Sequence, residues 1–229
     1  MPYWPQKSFI VIDTETTGLD FKEDRVIEVC VAVFYNGQYV HGFDWIVNSG
    51  KPSAPDAVAV HGITDEMQFA GKNAATTFRT VHNLINIQTR KHLPVMAFNA
   101  PFDFSMLRAE FARHGINPKL EANVIDPLVI DRHYQSNIPV FTKPWMRLAQ
   151  MAERYGVQAP THRALEDAIS TGYVAIEQSL HYPAIRHMSL PELHRKQREW
   201  YEEWAKRFRD FAVKKEFQFS TPDWPYGNE

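Results

Sequence analysis

The chain has 229 residues and a formal net charge of −2, with 25 Lys and Arg against 27 Asp and Glu. This balance excludes a protein that coats nucleic acid through a uniformly basic surface, so any nucleic-acid contact must be local. An apolar content of 44% is enough to build the buried core of one large domain with appendages.

The cysteine content and the first residues predict a cytoplasmic protein. Cys30 has no second cysteine to pair with, and it lies in the apolar run 29–33, where a buried thiol is expected. No stretch approaches the roughly 20 apolar residues of a membrane span, so no membrane association is expected. Residues 1–7 lack the apolar segment of a secretory signal.

Three strands are predicted at the start of the chain, over residues 8–13, 25–35 and 38–47. The dipeptide Asn36-Gly37 between the last two strands is a strong signal for a two-residue hairpin. These strands are therefore expected to form an antiparallel meander.

Helices and short strands alternate after the meander. The loop 50–72 is rich in Pro, Gly and Asp and is expected to hold a short helix. Apolar spacing and end signals then predict helices over residues 73–90, 102–114, 144–155 and 164–181, and short strands over residues 94–98 and 124–125. This order indicates an α/β domain around one mixed, five-stranded sheet.

The pattern changes between residues 189 and 215, where large apolar residues recur at helical spacing among many charges. Two interpretations remain open: an amphipathic helix that packs its aromatic stripe on the body, or a helix that docks on a polymerase or a second copy. The chain is accordingly divided into residues 1–182 and a C-terminal helix and tail, residues 183–229. The stripe is Leu190, Leu193, Trp200, Trp204, Phe208 and Phe211, and the tail adds Phe217, Phe219 and Trp224.

Two acids one residue apart follow the first predicted strand, in the stretch IDTETTGL at residues 12–19. Asp13 and Glu15 point to the same face if the strand continues, because side chains alternate along a strand. Their negative charges would then repel each other. Either this pair is solvent-exposed or a cation lies between the two acids.

Three further segments place polar residues at the edges of predicted elements: VHGIT (60–64), FNAPFD (98–103) and HRALEDA (162–168). Each is weak by itself. Asp103 is equally compatible with a helix cap, and the acids of HRALEDA with a solvated helix face. The occurrence of all these segments in one order is far more specific than any one of them.

The combination resembles the three motifs of the DEDDh family of 3′→5′ exonucleases, over roughly residues 7–180. DTETTGL, NAPFD and HRALEDA match the motifs, and HGIT resembles a loop of the polymerase-proofreading branch. The resemblance implies a ribonuclease H-like fold in which residues 1–182 are the exonuclease domain. One departure is Phe98 before Asn99, where the family usually has His; it bears on local packing rather than on activity.

The resemblance also assigns chemical roles. The family's four metal-binding acids fall on Asp13, Glu15, Asp103 and Asp167, and its general base falls on His162. Hard divalent ions prefer oxygen ligands, so four carboxylates suit two ions of Mg²⁺ or Mn²⁺. A metal cluster between Asp13 and Glu15 would offset their repulsion.

The spacing of His162 and Asp167 predicts where the histidine lies. Five residues along a regular helix correspond to a rotation of about 140°, so both side chains cannot face one site from the same helix. His162 is therefore expected ahead of the helix, on a loop that closes over substrate. We expect this loop to be more mobile than the helix when substrate is absent.

Several residues near the motifs are candidates for substrate contact. Thr16 and Gly18 could present backbone donors to the terminal nucleotide. Leu19 could wedge against the last base and Phe102 could stack on it, although a core position is equally compatible with both.

Three more candidates each have two interpretations. His61 lines the terminal-nucleotide pocket or caps its loop. Asn99 orients the sugar or fixes the turn after Phe98. The segment 131–147, which contains Arg132 and Lys143, guides a single strand or is an ordinary solvated loop.

Three functions follow from these observations. The first is a metal-dependent exonuclease that degrades single-stranded or frayed DNA from its 3′ end to nucleoside 5′-monophosphates, in repair or, with a polymerase partner, in proofreading. The second is an exoribonuclease of the ribonuclease T or oligoribonuclease kind; DTETTGL together with HGIT favours DNA. The third is a non-catalytic binding module, against which the presence of all five site residues argues.

Overall fold

The structure is a computed structural model that describes residues 3–135, 147–214, 216 and 221–227. In these ranges one mixed sheet has six strands in the order β4-β3-β2-β1-β5-β6. The strands are β1 (Phe9–Thr16), β2 (Val26–Tyr35), β3 (Gln38–Asn48), β4 (Lys72–Asn73), β5 (Val95–Met96) and β6 (Val124–Ile125). Strands β1 to β3 form the predicted antiparallel meander, and β5 and β6 run parallel to β1.

Nine α-helices follow or interrupt the strands within the described ranges, after a short 3₁₀ helix at Trp4–Gln6. None of these helices is long and apolar enough to cross a membrane. They are α1 (Pro55–His61), α2 (Asp65–Phe69), α3 (Ala74–Arg90), α4 (Ala100–Arg113), α5 (Pro127–Tyr134), α6 (Leu148–Tyr155), α7 (Ala164–His181), α8 (Pro183–His187) and α9 (Leu190–Lys214).

The sheet has one strand more than the five predicted. Lys72 and Asn73 extend the outer edge by pairing in parallel with the end of β3. Two residues are too short to give a period-2 pattern, and Asn73 also caps α3 by accepting a hydrogen bond from the backbone N–H of Thr76. The sequence signal at this position was therefore that of a helix start.

Two further differences concern helices. The loop 50–72 holds two short helices, α1 and α2, rather than one, and α5 and α8 were not predicted. For α5 the signal is present in the sequence: Asp126 accepts a hydrogen bond from the backbone N–H of Leu128, and Pro127 occupies the first helical position. The predicted start of the helix 144–155 lies partly outside the described residues, and α6 begins at Leu148.

The sheet separates two apolar layers, and β1 contributes alternate residues to each. Ile10 and Ile12 pack with α3 and α4, whereas Phe9 and Val11 pack in the layer that contains α7. Because the alternation continues to the end of β1, Asp13 and Glu15 point toward the α7 layer. Cys30 is buried in that same layer, as predicted.

The C-terminal helix α9 packs its apolar stripe on α5 and β6. Leu193 and Phe208 are buried, and Trp204 is half-buried. The tail returns to the same region, where Trp224 is also buried. The described part of the stripe therefore packs on the body of the protein, which is the first of the two interpretations given for this helix. Phe217, Phe219 and Lys143 lie outside the described residues.

Candidate active site

The five residues predicted to carry the chemistry line one cleft of about 990 Å³. Asp13 and Glu15 come from the end of β1, Asp103 from the first turn of α4, and Asp167 from the first turn of α7. His162 approaches from the loop before α7. Residues that are distant in the sequence thus converge where the sheet ends between its two helical layers.

Three of the carboxylates form a compact group. Asp13, Glu15 and Asp167 each offer one oxygen atom, and these atoms lie within 4.8 Å of one another. The strand alternation predicted the first two as neighbours, and α7 adds the third. A group of oxygen donors at this separation suits a hard divalent cation such as Mg²⁺ or Mn²⁺.

Asp103 lies beside this group rather than within it. Its side chain is buried, and its Oδ1 accepts a hydrogen bond of 2.7 Å from the Thr14 hydroxyl. Its helix is anchored by the buried Asp126, whose carboxylate accepts hydrogen bonds from the backbone N–H groups of Asn99 and Ala100, at 3.1 and 2.9 Å. Asn99 adopts the left-handed conformation here, with φ of 60°, which Asn tolerates better than most residues.

The acids of the cleft resist ionisation. Burial, and then the charge of Asp103, raise the pKa of Asp13 well above its usual range. Burial, and then the charge of Asp167, raise the pKa of Glu15 to about 8. Burial also raises the pKa of Asp103 to about 7 and raises that of Asp167. A bound divalent cation would reverse this effect by favouring the ionised forms.

These pKa values predict that the metal-free protein loses stability as pH rises. The folded state holds protons on Glu15 and Asp103 up to about pH 8 and 7, whereas the unfolded chain releases them near pH 4. Between these limits the folded state binds more protons, so stability falls with rising pH. In EDTA we expect Tm to fall by roughly 4–10 °C from pH 5.5 to 8.5.

The control for this experiment is Glu15→Gln, which cannot ionise. Its Tm should fall less than that of the unaltered protein over the same pH range. Mn²⁺ should raise Tm more at pH 8.5 than at pH 5.5, because binding at low pH must displace protons. A Tm in EDTA that stays level or rises up to pH 8.5 would contradict the pKa assignments.

His162 lies ahead of α7, as its spacing from Asp167 predicted. Its side chain is exposed, its φ is 61°, and the helix begins at Ala164. The Asp167 Oδ1 accepts hydrogen bonds from the backbone N–H groups of Thr161 and His162, at 2.9 and 3.2 Å. Asp167 thus lines the cleft and also accepts hydrogen bonds from the loop that carries His162. The greater mobility of that loop stays a prediction.

Glu28 is a buried acid behind the site that the sequence motifs did not indicate. It lies on β2 opposite Glu15 and is fully buried. One of its oxygens forms an ion pair of 2.8 Å with Arg163, and the other accepts a hydrogen bond of 3.1 Å from the backbone N–H of Ala164. Glu28 therefore holds both residues that follow His162. The available signal was an acid inside the apolar run of β2.

Glu28→Gln should destabilise the protein, because it removes the buried charge that faces the half-exposed Arg163. We expect Tm to fall by roughly 2–8 °C, measured by circular dichroism. The matched control is Glu199→Gln, which removes an acid from exposed ion pairs with Arg195 and Lys196 and should change Tm by about 1 °C or less. Equal changes in both variants would show that the buried pair does not hold this loop.

The predicted substrate contacts divide into two groups. Leu19 is 83% exposed at the cleft, which excludes the core position that the sequence left open. Asn99 and Phe102 also line the cleft. Thr16 and Gly18 are not among the described lining residues; the Thr16 hydroxyl donates a hydrogen bond of 2.6 Å to the Gly18 carbonyl.

His61 is buried beside the cleft, whose lining includes the preceding residue Val60. The His61 Nδ1 accepts a hydrogen bond of 3.0 Å from the backbone N–H of Ile63, which is the loop-capping contact. Burial lowers the pKa of His61, so the neutral ring is favoured. Its role in a nucleotide pocket stays a prediction.

Only one part of the far wall of the cleft was predicted: the segment 131–147, with Arg132, was expected to guide a single strand or to be a solvated loop, and Arg132 lies on the helix α5. The wall is formed by Arg132 from α5, by Tyr201 and Trp204 from α9, and by Pro222 from the tail. The sequence predicted Trp204 only as part of an amphipathic stripe. No local pattern shows that a stripe more than a hundred residues from the first motif reaches the active-site cleft.

The chain is similar to known proteins in its family profile, its sequence and its fold. The profile of the exonuclease family RNase T matches residues 10–175. A DNA polymerase III subunit epsilon-like protein of Rhodobacter capsulatus is 31% identical over 170 residues, which are 72% of this chain and 22% of that protein. A DNA polymerase III of the PolC type from Pediococcus pentosaceus is 26% identical over 170 residues, 72% of this chain and 11% of that protein.

Among solved structures, the fold is similar to that of Escherichia coli exonuclease I in its zinc-bound complex with single-stranded DNA. The TM-score is 0.68 at 21% identity, over 79% of this chain and 42% of that one. The matched region thus covers less than half the length of each of these three proteins. At this identity the structural comparison shows the mixed α/β fold that the sequence predicted.

Proposed function

This chain belongs to the RNase T exonuclease family, and from that membership we propose that it is a metal-dependent 3′→5′ exonuclease of the DEDDh type. The substrate is the 3′ end of single-stranded or frayed DNA, and the products are nucleoside 5′-monophosphates. The observation that carries the proposal is the convergence of Asp13, Glu15, Asp103, Asp167 and His162 on one cleft.

The carboxylates are proposed to hold two divalent ions, Mg²⁺ or Mn²⁺. Asp13, Glu15 and Asp167 supply the compact oxygen group, and Asp103 lies next to it. The raised pKa values support this role, because uncompensated acids in one buried group gain from a cation. When bound, the ions stabilise charge on the attacking and leaving oxygens of the phosphodiester.

His162 is proposed as the general base. Its imidazole is exposed at the cleft, on a loop whose backbone N–H groups at Thr161 and His162 donate hydrogen bonds to the Asp167 carboxylate. It takes the proton of the attacking water as the new P–O bond forms and the bond to the leaving 3′ oxygen breaks. Both ends of the loop depend on buried acids, since Glu28 holds Arg163 and Ala164.

The terminal nucleotide is proposed to lie between Leu19, Asn99 and Phe102. An exposed Leu at the rim can wedge against the last base, and Phe102 can stack on a base of any identity. Thr16, Gly18 and His61 would contribute indirectly, by shaping the loops that position the residues in contact with the nucleotide.

DNA is preferred over RNA in this proposal because one relative is named a DNA polymerase III and the other a DNA polymerase III subunit epsilon-like protein, and because the exonuclease I complex holds single-stranded DNA. The test is a kinetic comparison of two 5′-labelled single strands of equal sequence, one DNA and one RNA, with Mg²⁺ or Mn²⁺. We expect faster shortening of the DNA strand. Faster shortening of RNA would make the protein an exoribonuclease of the same chemistry.

Residues 1–182 are proposed as the exonuclease domain and residues 183–229 as an extension that completes its cleft. The family match ends at residue 175, while Tyr201 and Trp204 line the cleft. A proofreading role would also need a polymerase partner. Because the apolar stripe of α9 faces the chain's own body, such a partner, or a second copy, would contact the charged outer face of α9. Size-exclusion chromatography with a polymerase tests this.

A further inference from the structure

The wall of the cleft formed by α5 and α9 contains a cation with an unusual environment. The Arg132 guanidinium carbon lies 3.7 Å from the ring centre of Trp204, and both residues line the cleft that holds the catalytic acids. The same indole ring also lies beside Tyr201 and Phe208, each with its ring centre 5.4 Å away. Trp204 is half-buried in the cleft wall, with aromatic neighbours that fix its ring beneath the guanidinium.

The described residues provide Arg132 with no ion pair. Its sequence neighbour Asp131 is instead bound by Arg154, at 2.7 Å, and by the Tyr155 hydroxyl, at 3.0 Å. Asp126 and Asp131 favour the charge of Arg132 from a distance, but neither carboxylate is within 4 Å of it. In the part of the chain that the structure describes, the Arg132 guanidinium has no hydrogen-bond acceptor, and the residue lines the cleft.

Burial makes the positive charge of Arg132 energetically unfavourable unless an anion lies beside it. Burial lowers the pKa of Arg132 to about 10, so the group is still protonated at neutral pH but is poorly solvated. A planar guanidinium held on an aromatic ring is pre-organised for two parallel hydrogen bonds to a phosphate. Since the whole chain has a net charge of −2, one such local cation matters for an anionic substrate.

We propose that Arg132, held in place by Trp204, binds a backbone phosphate of the single-stranded DNA substrate on the α5–α9 wall of the cleft. The inference rests on the proposed function and extends it: the wall would guide the strand upstream of the bond that is cut. Arg132 would be a substrate-binding residue and Trp204 a positioning residue. The C-terminal helix would then be part of the substrate groove.

The first experiment measures binding without cleavage. A 5′-fluorescein dT 12-mer is titrated with the inactive Asp13→Asn protein in Mg²⁺ at several KCl concentrations, by fluorescence anisotropy. Adding Arg132→Gln should weaken binding about 10-fold or more, because a charge-assisted hydrogen bond is lost. It should also reduce the slope of log K against log salt by about 0.7, the contribution of one phosphate contact to a single strand.

Arg186→Gln is the matched control. Arg186 is also half-buried and lies over an aromatic ring, at 5.0 Å from the ring centre of Tyr3, but it does not line the cleft. It should change neither affinity nor salt slope. Arg132→Lys is the second variant, and it guards against loss of folding: it keeps the charge, so the salt slope should persist while affinity falls because the bidentate geometry is lost.

The second experiment locates the phosphate. Single neutral methylphosphonate linkages are placed at successive positions from the 3′ end of the oligomer. With Arg132 present, one or two adjacent positions should lose affinity; in Arg132→Gln the same positions should lose none. This non-additivity is specific to direct contact, since a general loss of structure would leave the position dependence unchanged.

The outcomes separate this inference from the proposed function. If the unaltered protein degrades DNA but Arg132→Gln keeps the salt slope and every methylphosphonate effect, the Arg132 inference is wrong and the function stands. If the protein binds DNA with the predicted Arg132 dependence but never cleaves it, the subsite stands and the nuclease proposal fails. If it neither binds nor cleaves single-stranded DNA, both are wrong.

Discussion

Asp13→Asn should reduce the rate of 3′-end degradation by at least about a thousandfold, because the proposed metal chemistry contributes several kcal/mol to stabilisation of the transition state. Asp13 is the acid whose pKa is influenced by each of Asp103, Asp167 and Glu15, so it lies at the centre of the group. Asparagine keeps its size and one oxygen but removes the charge. The measurement is a single-turnover assay on labelled single-stranded DNA with Mg²⁺ or Mn²⁺.

The stability of this variant distinguishes loss of chemistry from loss of folding. Because Asp13 is repelled by its neighbours, its neutralisation should leave Tm in EDTA unchanged or higher at pH 8, while the rise in Tm on adding Mn²⁺ should shrink. Asp210→Asn, on the exposed outer face of α9, is the control and should change neither activity nor the Mn²⁺ effect. Retention of more than a tenth of the activity in Asp13→Asn would oppose the central role of this carboxylate.

His162→Asn should lower the single-turnover rate by roughly 10²–10⁴-fold, the usual contribution of a general base. Asparagine is chosen because it tolerates the left-handed backbone that His162 adopts, with φ of 61°. The four acids remain, so Mn²⁺ binding measured by isothermal titration should be nearly unchanged. The variant should thus separate proton transfer from metal binding, which Asp13→Asn cannot do.

The chain supplies a closely matched control for this substitution. His92 is also an exposed histidine with positive φ, 52°, at the end of α3 and away from the described cleft surface. His92→Asn should leave the rate unchanged. If His162→Asn were equally harmless, the proton would have to go to another group, and the assignment of the general base would be refuted.

The sequence predicted most of what converges at the end of β1. Period-2 alternation placed Asp13 and Glu15 side by side, and helix geometry placed His162 ahead of α7. Both results depend on local backbone periodicity, which is independent of the rest of the fold. The helix from Ala164 was predicted from local spacing, and the hairpin at Asn36-Gly37 from two turn residues that take the positive φ it needs.

The far wall of the cleft and the supports behind the motifs could not be predicted in this way. Gln197 and Trp224 both hydrogen-bond Asp126, one through the Asp126 backbone N–H and one through its carboxylate, and Asp126 in turn anchors α4. Such contacts join residues about 70 and 100 positions apart, and they depend on where α9 and the tail pack. Amphipathicity predicts only that α9 buries a stripe, not which surface covers it.

Phe98, at a position where the family usually has His, is another residue whose surroundings depend on tertiary packing. The sequence predicted a change in local packing at this position. In the structure Phe98 packs at the edge of the layer that contains Leu128 and Met151, and it lines the cleft beside Asn99. The neighbouring backbone N–H of Asn99 is still bound by Asp126, so the start of α4 keeps its anchor despite the altered side chain.

The most direct test of the central claim is a time course on a single strand of DNA that carries its label at the 5′ end. With Mg²⁺ or Mn²⁺ we expect a ladder of labelled products that shorten one nucleotide at a time from the 3′ end, together with nucleoside 5′-monophosphates. No shortening should occur in EDTA. Release of the label as the first product, cutting within the strand, or no metal-dependent cleavage would contradict the account.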